Sequence, residues 1–336
     1  MLTLGFMPSP SGNRSKEKTM LTIDQNPDLN DTDHPAALWP RRQYQQVELV
    51  YDKDWRTLWT YMKPIGVPCF NQDMVEELHH VFHELKRRES HVLHEDHWQP
   101  VNYCVIASRR KKVFNLGGNL ALFINLIREK NRDALVEYAK LCVDAMYPRI
   151  KSYDCSTTTI SLVQGDALGG GFEFALSSHI IVAEAGSKMG LPEIIFSLFP
   201  GMGAYSFLSR RIGMRKTEEM MLSGNTYRAE ELADMGVVDI VAAPGEGENA
   251  VIELIRKKNR HLNGVRSIYE CRNHLWPITF EELRDIAMLW VDAALRVSAK
   301  DLQMMTQLAM AQRSLHAKYQ PSDGLTANPV SSLQTG

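Results

Sequence analysis

The sequence predicts an α/β domain followed by a helical region. Short β-branched and apolar runs alternate with segments of helical periodicity from Tyr44 to about Val241, the pattern of strands packed against helices. Pro200 and Gly201 interrupt the chain near the end of that block, and beyond them helix-period apolar spacing dominates. The chain has 336 residues, 44% apolar and 23% charged, which is ordinary for a soluble globular protein of one large domain, or one domain with a helical appendage. The reading divides it into a disordered arm (1–40), an α/β core (41–240), a helical region (241–318) and a flexible tail (319–336).

The arm is rich in Pro, Asn, Asp and Ser and lacks periodicity; Met20 within it is an alternative start. QQVELVYD alternates Val47, Leu49 and Tyr51 as a strand does. Residues 71–90 read as a helix with Asn71 as N-cap and Glu76 and Glu77 in its first turns. VNYCVIAS (101–108) and the segment around Val113 and Phe114 are strands, GGN (117–119) is a turn, and 120–148 holds two helices ending at Pro148. TTTISLVQG (157–165) is a buried strand, and IIVAEA (180–185) is another. TYRAEELADMGVVDIV (226–241) reads as a helix stopped by Gly236, then a short strand. From 279 to 316, Phe280, Leu283, Ile286, Leu289, Trp290 and Leu295 form a stripe that must pack on the core or on a neighbouring subunit.

A net charge of -2 gives no electrostatic case for nucleic acid or anionic membrane, so neither is expected as a partner. No run approaches ~18 uninterrupted apolar residues, so no membrane insertion is expected. MLTLGFMPSPSGNRSKEK puts apolar residues before charges, the reverse of a secretory leader. With five scattered cysteines in no CxxC pattern, this predicts a cytoplasmic protein without a cysteine metal site. His79, His80, His83, His91, His94 and His97 crowd one region. Without an HExxH motif or a matching acid set they read as a solvated helix, and no metal is expected.

The informative stretch is ALGGGFEFALSSHII (167–181). If a strand delivers the chain to Gly169–Gly171 and a helix starts there, its first N–H groups point outward at the positive end of the helix dipole. Side-chain-free residues let an oxygen approach them, as suits an oxygen that gains negative charge in a reaction. Glu173 follows Gly170 by about one turn. Glu193, in GLPEIIF, returns after one strand and a loop, next to Pro192 at a helix start. Two acids at one pocket mouth could divide acid and base roles, their repulsion and burial raising at least one pKa. From spacing alone a bland reading stands beside this one, with the glycines a flexible turn and Glu173 a dipole or capping choice.

ALGGGFEFALSSHIIVAEAGSKMGLPEI resembles the crotonase superfamily, the enoyl-CoA hydratase/isomerase fold, and KVFNLGGNLALF (112–123) is similar to that family's first oxyanion segment. LFPGMGAYSFLSRRIG and MLSGNTYRAEELADMGVVDIV fit it too, so that the resemblance covers roughly residues 44–318. It implies a crotonase-like spiral of ββα units, an oxyanion hole made by the N–H groups of Gly118 and Gly170 around a thioester carbonyl, and Glu173 and Glu193 as the acid–base pair. By family analogy Glu193 takes the alpha proton and Glu173 helps the beta hydroxyl leave, with the roles open to exchange.

FNLGGNLALF, GGGFEFALSSH, LPEIIFSLFPGMGAYSFL and WVDAAL are similar, more narrowly, to the diffusible-signal-factor synthases of the RpfF type. These make cis-2-unsaturated fatty acids for cell–cell signalling, dehydrating 3-hydroxyacyl chains on acyl carrier protein and cleaving the thioester. The resemblance implies no cofactor beyond the phosphopantetheine of acyl carrier protein or coenzyme A that carries the substrate. It implies as partners the carrier protein, a sensor-kinase receiver domain and further copies of the chain, as a trimer or hexamer. A general enoyl-CoA hydratase or isomerase of fatty-acid metabolism, and a non-catalytic regulatory binding protein, are the alternative readings.

Leu198, Phe199, Met202, Trp290 and Leu308 are candidates for the apolar acyl slot, each of which reads singly as ordinary core. Arg109, Arg110, Lys111 and Lys112, in SRRKKVF, either contact a phosphopantetheine phosphate or an acidic carrier helix, or are solvated surface. Arg210, Arg211, Arg215 and Lys216 are weaker candidates of the same kind. Two residues depart from the family pattern. Asn119 stands where Asp is usual and should still cap the next helix, and His179 stands where ordinary hydratases often carry Asp.

Overall fold

A computed structural model describes residues 43–110 and 112–318. The arm, Met20, the tail and Lys111 lie outside the described residues. The chain opens with an antiparallel pair, β1 (Val47–Asp52) and β2 (Thr57–Met62), then α1 (Gln72–Arg87) and a hairpin of β3 (His91–His94) and β4 (His97–Pro100). Three strand pairs follow, each leading into helix or 3-10 turn. β5 (Tyr103–Ser108) and β6 (Lys112–Asn115) precede α2 (Leu120–Arg128) and α3 (Arg132–Ile150). β7 (Thr158–Val163) and β8 (Gly165–Leu168) precede α4 (Gly170–Leu176). β9 (Ile180–Glu184) and β10 (Lys188–Gly190) precede a 3-10 turn at Pro192–Phe196, then α5 (Ala204–Ile212) and α6 (Met214–Ser223). The rest is β11 (Thr226–Arg228), α7 (Ala229–Asp234), β12 (Ile240–Ala242), α8 (Gly247–Asn259), α9 (Leu262–Leu275), α10 (Phe280–Ala294) and α11 (Ala299–Lys318).

The first strand of each pair joins one sheet and the second joins another. The large sheet has the order β1-β2-β5-β7-β9-β12, parallel from β2 onward, and the small one the order β11-β10-β8-β6. Stepping between two sheets in this way winds the chain into a spiral of ββα units. β2, β5 and β7 are buried along their whole length, as strands covered on both faces must be.

The short strands β8 and β10 escape a sequence reading because three or four residues carry no usable alternation. The helix expected to stop at Pro148 runs on to Ile150. Proline there removes the N–H that would bond the Asp144 carbonyl, and the ring of His83 on α1 supplies the missing donor, Nε2 to that oxygen at 3.0 Å. Asn71 and Asn119 cap α1 and α2, accepting from the N–H groups of Met74 and Leu122. In the C-terminal stripe Leu283 and Trp290 are buried, whereas Leu289 is exposed on the far face of α10. α10 packs on α3, and α11 on α2 and the 192–196 turn, so within the chain the stripe covers its own core. No helix among the described residues is long and apolar enough to cross a membrane.

Candidate active site

The site forms where the two glycine-bearing turns meet. Gly118 closes the turn after β6 and forms an isolated bridge with Phe70, while Gly170 is the first residue of α4. Gly170 therefore has no acceptor in its own helix, and neither its N–H nor that of Gly118 has a backbone partner among the described residues. A Cβ on Gly170 would lie 3.6 Å from the Gly118 nitrogen, so the two amides are neighbours. Close approach explains the glycines. Gly117 has φ +88°, and a side chain there would stand 2.7 Å from the Leu168 carbonyl and 3.0 Å from the Gly170 nitrogen. Gly169 has φ +52° and a Cβ position 2.6 Å from Oε1 of Glu193, and a Cβ on Gly171 would strike the Asn115 carbonyl oxygen at 2.1 Å.

Both acids are buried. Glu173, 2% exposed, is held by the turn before α5, whose Met202 and Ala204 N–H groups donate to its Oε1 at 2.7 and 3.0 Å. Burial pushes its carboxyl up to about 7 against the pull of those amides. Glu193, 9% exposed, sits on the 3-10 turn, and its Oε2 has no hydrogen-bond partner among the described residues. Burial first, and then the charge of Glu173, push its carboxyl well above the usual range. Of the two, Glu173 is the better placed to carry charge, because two amides already satisfy its oxygen, and Glu193 is the one held more strongly toward its protonated form.

Glu173, Glu193, Gly118 and Gly170 all line one cavity of about 160 Å³. Among the expected acyl-slot residues Met202, Trp290 and Leu308 line it as well. Leu198 and Phe199 do not. The backbone turns away after Glu193, with Ser197 left-handed at φ +59°, and Leu198 goes into the core at 2% exposure while Phe199 packs against that core. Sequence reading missed Phe123 on α2, Tyr138 and Cys142 on α3, and Gln312 on α11, which also line the cavity. Tyr138 and Cys142 share a helix face by their spacing, but nothing in the sequence says that this face meets Trp290. Phe123 joins the aromatic wall, edge-on to Tyr138 at 5.2 Å and to Trp290 at 5.0 Å. The Gln312 amide donates to the Leu116 carbonyl at 2.9 Å and ties α11 over the site.

The basic run stands apart from this cavity. Arg109 pairs with Glu48 at 2.7 Å and lies 3.4 Å over the Tyr61 ring, Arg110 donates to the carbonyls of Pro64 and Gly66, and Lys112 is exposed. The His79 and His83 rings lie 4.1 Å apart, tilted by 31°, with His83 committed to the Asp144 carbonyl. Among the described residues no three His, Cys, Asp or Glu side chains gather as a metal site.

Residues 60–270 match the sequence family described as enoyl-CoA hydratase/isomerase. Among curated proteins, the fatty acid oxidation complex subunit alpha of Pseudomonas aeruginosa is 29% identical over 153 residues, 46% of this chain and 21% of that protein, so the match spans about a fifth of the relative's length. Among solved structures, the enoyl-CoA hydratase from Bacillus halodurans superposes with a TM-score of 0.65 at 16% identity, covering 79% of this chain and 100% of that one. DspI of Pseudomonas aeruginosa superposes with a TM-score of 0.55 at 21% identity, covering 80% and 96%. Likeness at these identities speaks for the fold alone.

Proposed function

The chain belongs to the enoyl-CoA hydratase/isomerase family, and from that premise we propose that it dehydrates a 3-hydroxyacyl thioester and then hydrolyses the thioester, releasing a cis-2-unsaturated fatty acid as a signal. The observation that carries the chemistry is the meeting of two buried carboxylates and two neighbouring glycine amides on one largely apolar cavity. The choice of signal synthase over general hydratase rests on the motif resemblance, and acyl carrier protein is the proposed carrier.

In this reading the thioester oxygen accepts from the N–H groups of Gly118 and Gly170. Glu173, ionised at rest, takes the alpha proton, and enolate charge builds on the held oxygen. The Cβ–O bond then breaks as protonated Glu193 gives its proton to the departing hydroxyl, which leaves as water. The resting charge distribution thus favours exchanging the roles expected by analogy. Dehydration leaves Glu193 ionised and Glu173 protonated. Glu193 can then take a proton from the water attacking the same carbonyl, and Glu173 can protonate the departing thiolate. The second reaction restores the protonation with which the first began, and both put negative charge on one oxygen.

Incubation with matched 3-hydroxyacyl chains on acyl carrier protein and on coenzyme A tests this by mass spectrometry. Free cis-2-enoic acid from the carrier protein substrate is expected; reversible hydration on coenzyme A without free acid would instead establish the general hydratase. Roles within the pair are read by alpha-hydrogen exchange in heavy water. Glu193→Gln should retain exchange without elimination, and Glu173→Gln should lose both.

A further inference from the structure

A second cavity, of about 100 Å³, lies beyond the other end of α4. Its lining includes Lys151, Ser178, His179, Arg210, Arg211 and Arg272. Behind the serines lies Arg149, 0% exposed, which no carboxylate pairs among the described residues. Its Nε donates to Ser177 Oγ at 3.4 Å and its Nη2 to the Ile160 carbonyl, Ser161 Oγ and Ser178 Oγ, while its Nη1 makes no close hydrogen bond among the described residues and the guanidinium lies beside Tyr153 and Cys104. Two carboxylates answer these five cations. Glu282 lies 2.8 Å from Arg210, and Asp239 lies 3.7 Å from Arg211. The five cations outnumber these two carboxylates by three, and Asp239 also acts on Arg272.

The carbonyl end of α4 accounts for one of the arginines, since Arg211 Nη2 donates to the Ser178 carbonyl at 2.7 Å. It does not account for Arg272. That guanidinium lies 5.1 Å over the Tyr269 ring and has no side-chain hydrogen bond or ion pair among the described residues. His179 adds no negative charge. The Thr159 N–H donates to its Nδ1 at 3.1 Å, and burial together with the charges of Arg272, Arg149 and Arg211 hold the ring neutral, its pKa pushed down to about 3.

We propose that this cavity binds one tetrahedral oxyanion, a phosphate or phosphoryl group, between Arg272 and Lys151, beside Arg211, which the Ser178 and Val237 carbonyls already hold in place. Guanidinium and ammonium groups brought from different elements to one cavity can offer donors to more than two oxygens, which suits a phosphate better than a carboxylate. An uncompensated cationic pocket lowers its own free energy when an anion enters. The site is independent of the acyl chemistry, because it shares no lining residue with the first cavity.

Titration calorimetry of the full chain in chloride buffer tests it, with orthophosphate and adenosine monophosphate as probes. One saturable site per chain is expected for orthophosphate. Equal binding of the nucleotide assigns the site to a phosphoryl group on a larger molecule, and rejection of it assigns free phosphate. Arg272→Gln, which removes no internal hydrogen bond, should weaken binding about tenfold or more. His179→Asp, which places a carboxylate among the arginines, should abolish it while leaving every arginine in place. Lys216→Gln should change nothing. The proposal is overturned if no saturable binding occurs up to about 10 mM, or if Arg272→Gln binds as the unaltered chain does. Circular dichroism checks folding, and if His179→Asp fails to fold, Arg272→Gln decides.

Discussion

The two carboxyl groups of the site titrate above the ordinary carboxylate range. Both are raised by burial, and Glu193 also by the charge of Glu173. A carboxyl that titrates higher folded than unfolded contributes stability present below its ordinary value near 4.5 and lost as pH rises through the folded value, about 7 for Glu173. The site therefore costs stability at neutral and alkaline pH. Glu193→Gln should raise the Tm at pH 8, and the difference should shrink as pH falls toward 5. The same substitution, or Glu173→Gln, should lower turnover by roughly 10²–10⁴-fold. A variant that lost activity and also lost Tm at pH 8 would mark the pair as structural. The sequence made these two acids legible as candidates, because an acid one turn after a glycine triplet and another beside a proline-started turn are local patterns. Their burial and the amides that hold Glu173 come from a turn some thirty residues on, at Met202 and Ala204, and no local pattern encodes that meeting.

At the scale of elements, the turn after β6 is set by Gly117. A methyl group there would crowd the Leu168 carbonyl and the Gly170 nitrogen from a backbone already at φ +88°. Gly117→Ala should reduce kcat by roughly 10²–10³-fold, comparable to removal of an oxyanion donor, with KM changed less; single-turnover kinetics would separate the two. A second element-level prediction concerns α3. His83 replaces the donor that Pro148 lacks. His83→Ala should destabilise the chain by about 1–2 kcal/mol and should cost less in a Pro148→Ala background, where a main-chain N–H is restored. A double-mutant cycle by urea unfolding measures the coupling, and strict additivity would refute it. Reading the sequence ended the helix at Pro148 because proline's local effect is visible there and the compensating histidine, on another helix, is not.

Across the whole molecule, the cavity is closed by segments far apart in sequence. α10 brings Trp290 against Phe123 on α2, and α11 lays Leu308 and Gln312 over the Gly117–Gly118 turn. Packing of the C-terminal helices therefore sets the size of the cavity and, on the proposed function, the room for an acyl chain. Ala311→Trp should shift preference to shorter acyl chains, raising KM for long substrates at least several-fold while leaving the shortest nearly unaffected. A chain-length series of thioesters checks this, and a uniform loss at every length would argue against it.

The fold class, most of the long strands and helices, the two glycine turns and both candidate acids are legible before folding, because each is written in neighbouring residues as periodicity, capping or a glycine cluster. Packing between distant elements selected the apolar residues that line the cavity. It also turned Leu198 and Phe199 away and brought Tyr138, Cys142 and Gln312 in, and it gathered arginines around His179. Those outcomes depend on how elements separated by tens to hundreds of residues pack, and an apolar or charged side chain carries the same local signature whichever neighbour it meets.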